Sequence, residues 1–549
     1  MKILHLISSL ILITVYSFYL FKYFICLYQL EHYDLIFAIK RYFKCDVVKR
    51  VYLGWLLIEI VWVLLVELVF KIRPTYLTLV SFAISLVCIF YQLVKCDTSK
   101  TPLKLTKRIV RLIIIYLVLL VACFIVKVKY LNGLACVNFS VFNVVLCVIV
   151  TLIAITISYI IELIIKKHYV NIAVKKLKKY PNIIKIGIVG SYAKTSVKNI
   201  LSQILSRSYN VVATPKSYNT LLGIVKTIRE LVDNKTEVLI LEIGADKNND
   251  IKNILKIFDI NIGVLTGITN QHLEKFKTLE NLIKTKLYIC DYINSKNGQL
   301  FLNAFDSVII DNYSNIIDNN YENINNNTIV TDSNIYNSNI INKLKNCIKF
   351  NKFLVNNIKY ENKIVKFDIN VNQNSYSFET NLLGKHSLIN ISLCIAVALY
   401  LNVPVNKISS ALKHLKQTPH RMEIKKLTMG ATLIDNSFNS NSVGFKYSLE
   451  LLNSFDGKNK IVITPGLVEL GSEQSIVNYN LGKSVGEYGF DLIICNYVNR
   501  DDIEAGYRSV NDKDIVCYDN FSSDLVSYLN TLDETYCILI ENDLPSNYS

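Results

Sequence analysis

No two of the 13 cysteines stand in a Cys-x-x-Cys spacing, and the nearest pair in the last two thirds of the chain, Cys517 and Cys537, is well separated. That spacing excludes a zinc ribbon. Seven cysteines, among them Cys26, Cys88, Cys123 and Cys147, fall within the first 165 residues, and the other six read as reduced, buried thiols. Acidic residues are also short, 44 against 60 Lys and Arg, for a net charge of +16. The excess bases are not gathered around aromatic residues on one soluble element, which excludes a nucleic-acid surface. They stand beside long apolar runs instead. No Ala-x-Ala-like site closes the first of those runs, so it does not read as a cleaved signal peptide.

Five apolar segments are long enough to cross a bilayer as helices: roughly 4–28, 52–70, 76–94, 110–126 and 143–165. The basic residues alternate between their loops. Lys40, Arg41, Lys44, Lys49 and Arg50 follow the first segment, and Lys95, Lys100, Lys104, Lys107 and Arg108 follow the third. Lys166, Lys167, Lys175, Lys176, Lys178 and Lys179 follow the fifth, whereas the other two loops are poor in such residues. The positive-inside rule then places the N-terminus outside and everything after residue 166 in the cytoplasm. Glu59 and Glu67, eight residues apart, share a helical face inside the second segment. They read either as a polar path or as carboxylates satisfied within the bundle.

From Tyr180 the pattern changes to strand, loop and helix: Ile184–Val189 is a β-branched run, Gly190–Ala193 a loop, and Lys194–Leu205 an amphipathic helix. A loop between a strand and a helix N-terminus offers backbone N–H groups to an anion. Lys194 adds a point charge for the outer phosphates, and the Thr195 hydroxyl is a Mg²⁺ ligand by type. Gly190, Ser191, Tyr192, Ala193, Lys194, Thr195 and Ser196 therefore form a candidate phosphate-binding loop. Ala193 stands where glycine is usual, at a cost on the order of 1 kcal/mol if the position needs a positive φ. Further on, Glu242 and His272 each follow a strand end, where ligands of open α/β sheets bind, and both suit Mg²⁺. Residues 311–345 are Asn-rich and poor in large apolar groups, which reads as an elaborated surface loop. Alternating strands and helices from Ala431 to Ile540 predict a final, smaller doubly wound domain.

The ordered stretches GIVGSYAKTS, TPKSYNT, LILEIGA, VLTGITNQHLEKF and IKTKLYI, followed by NLLGKHSLIN, PHRMEI and IDNSFNSN, resemble the Mur ligase family and, within it, the D-alanyl-D-alanine-adding, MurF-type enzymes. The resemblance covers about residues 183–549. The apolar segments give a membrane domain at 1–170, and the resemblance implies an α/β central ATP-binding domain at 171–380 and a smaller Rossmann-like ligase domain at 381–549. It also implies that Lys194 and Thr195 bind ATP phosphates and Mg²⁺, that Glu242 binds Mg²⁺, and that His272 binds a second Mg²⁺. Lys286 matches the family lysine that is carbamylated, and Asn219 and Thr220 match a loop facing the acceptor substrate. His386 and Asn390 are placed near the base, Arg421 at the phosphates, and Asp435 and Asn439 at the seam between domains. Ser387, Asn436 and Phe438 depart from the family's usual Asn, acid and Tyr.

The implied activity is ATP-dependent amide formation through an acyl phosphate, joining D-alanyl-D-alanine to a UDP-N-acetylmuramoyl-tripeptide, with Lys194, Lys286 and Arg421 as catalytic groups. The implied place is a bacterial plasma membrane, with the catalytic domains in the cytoplasm and other cell-wall synthesis proteins as partners. Two alternatives stand beside it. One is a ligase for another carboxylate, lipid-linked or polyglutamate, and the other is a nucleotide-binding membrane scaffold without catalysis.

Overall fold

The computed structural model describes residues 21, 24–26, 28–29, 104–130, 139–271, 273–317, 327–332, 350–361, 364–371, 374–438 and 440–543. Two compact units result, residues 1–168 and 169–549. In the first, helix α1 (Lys107–Tyr130) contains the fourth expected span, and helix α2 (Phe139–Lys178), which continues into the second unit, contains the fifth. The second and third expected spans, most of the first, and Glu59 and Glu67 lie outside the described residues. Among the described residues one helix is long and apolar enough to cross a membrane, Ile149–Lys178, with a mean hydropathy of 2.2. Glu162 of α2 accepts hydrogen bonds from Arg111 of α1 and stands 3.7 Å from Arg108. These charges meet near the start of α1 and near residue 162 of α2.

The second unit is built on two sheets. The first has nine strands in the order β2-β3-β1-β4-β5-β6-β7-β8-β9. These are β1 (Ile184–Val189), β2 (Val211–Ala213), β3 (Val238–Glu242), β4 (Ile262–Leu265), β5 (Gln299–Asn303), β6 (Asn327–Asp332), β7 (Phe350–Glu361), β8 (Ile364–Val371) and β9 (Asn374–Thr380). Strands β1 to β7 run parallel, and β8 and β9 close the edge as an antiparallel meander. The helices are α3 (Lys194–Leu205), α4 (Leu221–Leu231), α5 (Asp250–Phe258), the short α6 (Leu273–Phe276), α7 (Leu279–Asn294), α8 (Ser307–Ile317), α9 (Lys385–Tyr400) and α10 (Val405–Lys413). Apolar layers cover both faces of the sheet. On one, Ile224 and Ile228 of α4 pack with Leu239, Leu241 and Ile289, and on the other, Val197 and Leu201 of α3 pack with Ile186, Ile188 and Ile395. Each such side chain contributes about 1.5–3 kcal/mol when fully buried.

Two expectations are corrected here. The Asn-rich stretch is not all surface loop: its Thr-Ile-Val-Thr run forms β6 between β5 and β7, with Thr328 and Val330 buried, because β-branched residues fill a sheet interior whatever their neighbours. Residues 318–326 and 333–349 lie outside the described residues. Nor does the second α/β body begin at 381. Helix α9, almost wholly buried from Ser387 to Ala398, packs on α3 and the first sheet, and α10 follows it. An apolar helix without a polar face has to be covered on all sides, and the first sheet covers it.

The second sheet has six strands in the order β10-β11-β15-β12-β13-β14. They are β10 (Glu423–Lys426), β11 (Thr432–Asn436), β12 (Asn459–Thr464), β13 (Asp491–Ile494), β14 (Ile515–Cys517) and β15 (Tyr536–Glu541). Only β10 is antiparallel to its neighbour. Helices α11 (Ser442–Asn453), α12 (Gln474–Glu487), α13 (Arg500–Arg508) and α14 (Ser523–Leu529) accompany it.

Candidate active site

Strand β1 lies between β3 and β4, so the connections on its two sides diverge at its C-terminal end and leave a crevice. The loop from Gly190 to Ala193 sits in that crevice and opens α3. Ala193 adopts φ 62°, ψ −5° and makes no side-chain cap, which leaves the first N–H groups of α3 directed at the crevice. The left-handed conformation inferred from the motif is thus realised with a Cβ in place. Close approach explains two glycines: a Cβ on Gly190 would lie 2.1 Å from Thr266 Oγ1, and one on Gly267 would lie 2.1 Å from Tyr192 Cζ. Tyr192 therefore lies across Gly267, and its hydroxyl donates to Asp306 Oδ2 at 2.7 Å. Asp306 also accepts the N–H groups of Ile268, Val308 and Ile309, tying the loop to the start of α8.

Three cations surround the loop. Lys194 Nζ lies 2.8 Å from the Gly190 carbonyl and 3.0 Å from that of Ser191. Burial lowers its pKa to about 8, against the pull of Glu242. Lys286, on α7, is 4% exposed with Nζ 3.2 Å from the same Gly190 carbonyl. Burial and then the neighbouring Lys194 bring its pKa down to about 7. Arg421 stacks on Phe438, 4.6 Å from the ring centroid, and burial lowers its pKa to about 10, opposed by Glu242 and Glu541. Lys194 disfavours the protonation of Lys286, and Arg421 that of Lys194, so the crevice holds positive charge that an anion would offset.

Glu242, at the end of β3, accepts a hydrogen bond from Thr195 Oγ1 at 3.0 Å and one from Asn219 Nδ2 at 3.4 Å. A hydroxyl and a carboxylate side by side beside a phosphate loop are the hard oxygen donors that fit Mg²⁺. Thr220, which follows Asn219, caps α4 by accepting the Gly223 N–H. Ser196 lines the cleft described below. His272 and Asn439 lie outside the described residues.

Facing the loop is a cleft open to solvent, lined by Tyr192, His386, Asn390, Arg421, Asn436 and Tyr447 among others. Its walls come from the first sheet's helices and from the start of the second. The His386 Nε2 is 3.0 Å from Ser387 Oγ, and its buried Nδ1 has no partner among the described residues. Burial lowers the His386 pKa to about 4, so the ring is neutral near pH 7 and offers an unsatisfied nitrogen to a planar polar group.

Asp435, at the end of β11, lies 2.8 Å from His420 Nδ1 and 2.9 Å from Lys425 Nζ. Although burial works against it, hydrogen bonds from Lys425, Ser437 and His420 hold its carboxyl below the usual range. Asn436 Nδ2 donates to both oxygens of Glu541 at 2.9 Å, and Ser440 and Ser448 donate to the same carboxylate. An amide at position 436 therefore suits this chain, since an acid there would face a buried carboxylate. The sequence reading missed Asp306, Asn303, Tyr447, Lys198 and Glu541 as parts of the site. LNAFD after β5 was the one local signal for Asn303 and Asp306.

The site is thus a parallel sheet with a lysine-bearing loop at its switch point, facing a second α/β body across a cleft. Residues 188–398 match the Mur ligase middle domain. Among curated relatives, the UDP-N-acetylmuramoyl-tripeptide--D-alanyl-D-alanine ligase of Buchnera aphidicola subsp. Baizongia pistaciae is 27% identical over 302 residues, covering 55% of this chain and 60% of the relative. That of Bacillus subtilis is 22% identical over 309 residues, covering 56% and 61%. The chain thus spans about three fifths of the length of these relatives. Among solved structures, MurF from Acinetobacter baumannii shares the fold with a TM-score of 0.56 at 16% identity, covering 69% of this chain and 78% of that one. MurF ligase from Thermotoga maritima in complex with ADP does so with a TM-score of 0.53 at 19% identity, covering 69% and 81%.

Proposed function

We propose that the chain is an ATP-dependent amide ligase that joins D-alanyl-D-alanine to a UDP-N-acetylmuramoyl-tripeptide. The observation that carries this reading is the convergence of Lys194, the buried Lys286 and Arg421 around one loop, with Thr195 and Glu242 beside it. The names of the curated relatives supply the substrates.

In this reading a carboxylate oxygen of the acceptor attacks the γ-phosphorus of ATP and ADP leaves. The amine then attacks the acyl carbon, and phosphate departs carrying that carboxylate oxygen. The N–H groups at the start of α3 hold the phosphates, while Lys194 and Arg421 oppose the charge that develops during transfer. Thr195 and Glu242 would hold Mg²⁺, which when bound neutralises the outer phosphates. Neutral His386 and Asn390 orient the base. Half of the Lys286 amines are neutral at a pKa of about 7, which allows attack on CO₂ and formation of the carbamate that the family resemblance implies. Asp435, fixed by His420 and Lys425, stands at the seam where closure would exclude water from the acyl phosphate.

The five apolar segments are proposed as spans of a bacterial plasma membrane, with the N-terminus outside and the ligase domains in the cytoplasm. The pairing of Arg108 and Arg111 with Glu162 supports this, because it joins the cytoplasmic ends of the fourth and fifth spans. The test is phosphate release by the full chain in lipid with Mg-ATP, omitting either substrate in turn. Release should require both substrates and vanish in Lys194→Ala. ATP turnover indifferent to both would remove the ligase reading.

A further inference from the structure

Lys198 follows Lys194 by one turn of α3 and lies on the same helical face. Its side chain is 1% exposed, and its Nζ is 3.0 Å from Oε2 of Glu242, which is equally buried. The same ammonium donates to the carbonyl of Lys216, a residue held at φ 47° in the loop between β2 and α4. Glu242 is thereby divided. One oxygen is fixed by Lys198, while the other receives Thr195 and Asn219. The loop closes on the end of β3 and the residues just after it at two more points. Thr214 Oγ1 accepts the Glu242 N–H at 3.1 Å, and the Asn219 carbonyl accepts the Gly244 N–H at 2.8 Å.

We infer that Lys198 is a positioning residue that fixes the rotation of the Glu242 carboxylate and thereby couples the cation side of the nucleotide site to the acceptor-facing loop 214–220. The inference rests on the ligase reading for its substrate arm, but not for its nucleotide arm. Two features give Lys198 this role. A carboxylate so deeply buried takes its orientation from its donors, since no water competes for it. And Lys198 is the donor that also grips the loop backbone, so rotation of Glu242 and the path of residues 214–220 are set together. Groups that orient a metal ligand from behind typically change metal affinity by about 10–100-fold when removed.

The experiment compares wild type, Lys198→Gln and Lys198→Arg as full chains in lipid. Calorimetry measures ADP binding across a Mg²⁺ titration, and phosphate release measures the acceptor KM. In Lys198→Gln the Mg²⁺ concentration giving half of the enhancement of ADP binding should rise about tenfold or more, with ADP affinity in the absence of Mg²⁺ little changed. The acceptor KM should rise with it, more than the D-alanyl-D-alanine KM does. Lys198→Arg keeps the buried charge and with it the fold, but its longer, forked group cannot hold both acceptors in the same place. It should shift both quantities in the same direction at an unchanged melting temperature.

A Lys198→Arg protein that melts like wild type and shows the wild-type Mg²⁺ titration and acceptor KM overturns the inference, and leaves Lys198 as a charge that merely stabilises the fold. If the wild type binds Mg-ADP but releases no phosphate in response to the acceptor, the ligase reading fails, and the Mg²⁺ titration alone decides the role of Lys198. A wild type without Mg²⁺-dependent ADP binding overturns both.

Discussion

Glu541 gives the chain a measurable dependence on pH. Its carboxyl is fully buried at the end of β15 and takes hydrogen bonds from Asn436, Ser440 and Ser448, yet burial outweighs them and raises its pKa from 4.5 to about 7. A raised acid pKa means that the folded protein holds a proton which the unfolded chain has released, throughout the window between those two values. Stability therefore falls as pH rises through that window and levels off above pH 7. With 1.36 kcal/mol per unit, a shift of this size is worth about 3 kcal/mol at pH 8, of which about 2–3 kcal/mol is lost between pH 5 and 8. Glu541→Gln keeps the volume and the hydrogen-bonding capacity but cannot ionise. The assay is the melting temperature of the nucleotide-free full chain at pH 5 to 8, wild type against Glu541→Gln. The variant should gain on the wild type as pH rises, by roughly 3–6 °C over the range. A difference that stays constant with pH would refute the assignment of the buried proton to Glu541.

Three further outcomes follow from the loop. Ala193→Gly removes a side chain from a left-handed position, and the strain relieved exceeds the backbone entropy added, so stability should rise by up to about 1 kcal/mol with nucleotide binding retained, as read by melting temperature with and without ADP. Gly267→Ala places a Cβ within 2.5 Å of two Tyr192 ring carbons and its hydroxyl oxygen; displacing the ring and its bond to Asp306 should cost about 2–4 kcal/mol and abolish ADP protection against heat, whereas Tyr192→Phe should cost about 1–2 kcal/mol. Phosphate release should be stimulated by added bicarbonate near pH 7 and not in Lys286→Arg, because the Lys286 amine is half neutral there while arginine stays charged; equal stimulation of both proteins would remove the carbamate from the proposal.

The phosphate loop was readable because its parts are contiguous: a β-branched run, a short loop and a lysine at a helix start follow one another within residues 184–205, and each element is dictated by local chemistry. Glu242 and Lys286 were also reachable, through a strand end and a family motif. The pieces that close the site were not. Tyr192 and Asp306 are 114 residues apart, and Asn436 and Glu541 are 105 apart, so only the folded sheet brings them together. Strand β6 was hidden by its asparagines, since composition averaged over 35 residues masks a four-residue β-branched run. The misplaced boundary at 380 has a related cause. The sequence of α9 says that it is buried but not against which sheet, and that choice belongs to its contacts with Val197 and Leu201 on α3.

The central claim is that a carboxylate is activated by phosphoryl transfer in the crevice around Lys194. The most direct measurement supplies the full chain with Mg-ATP, D-alanyl-D-alanine and UDP-N-acetylmuramoyl-tripeptide labelled with ¹⁸O in its terminal carboxylate, and determines the mass of the phosphate released. One ¹⁸O atom per phosphate, with the extended peptide formed in equal amount, is the expected result. Phosphate that carries no label would show that the γ-phosphoryl group goes to water, and would contradict the acyl-phosphate route.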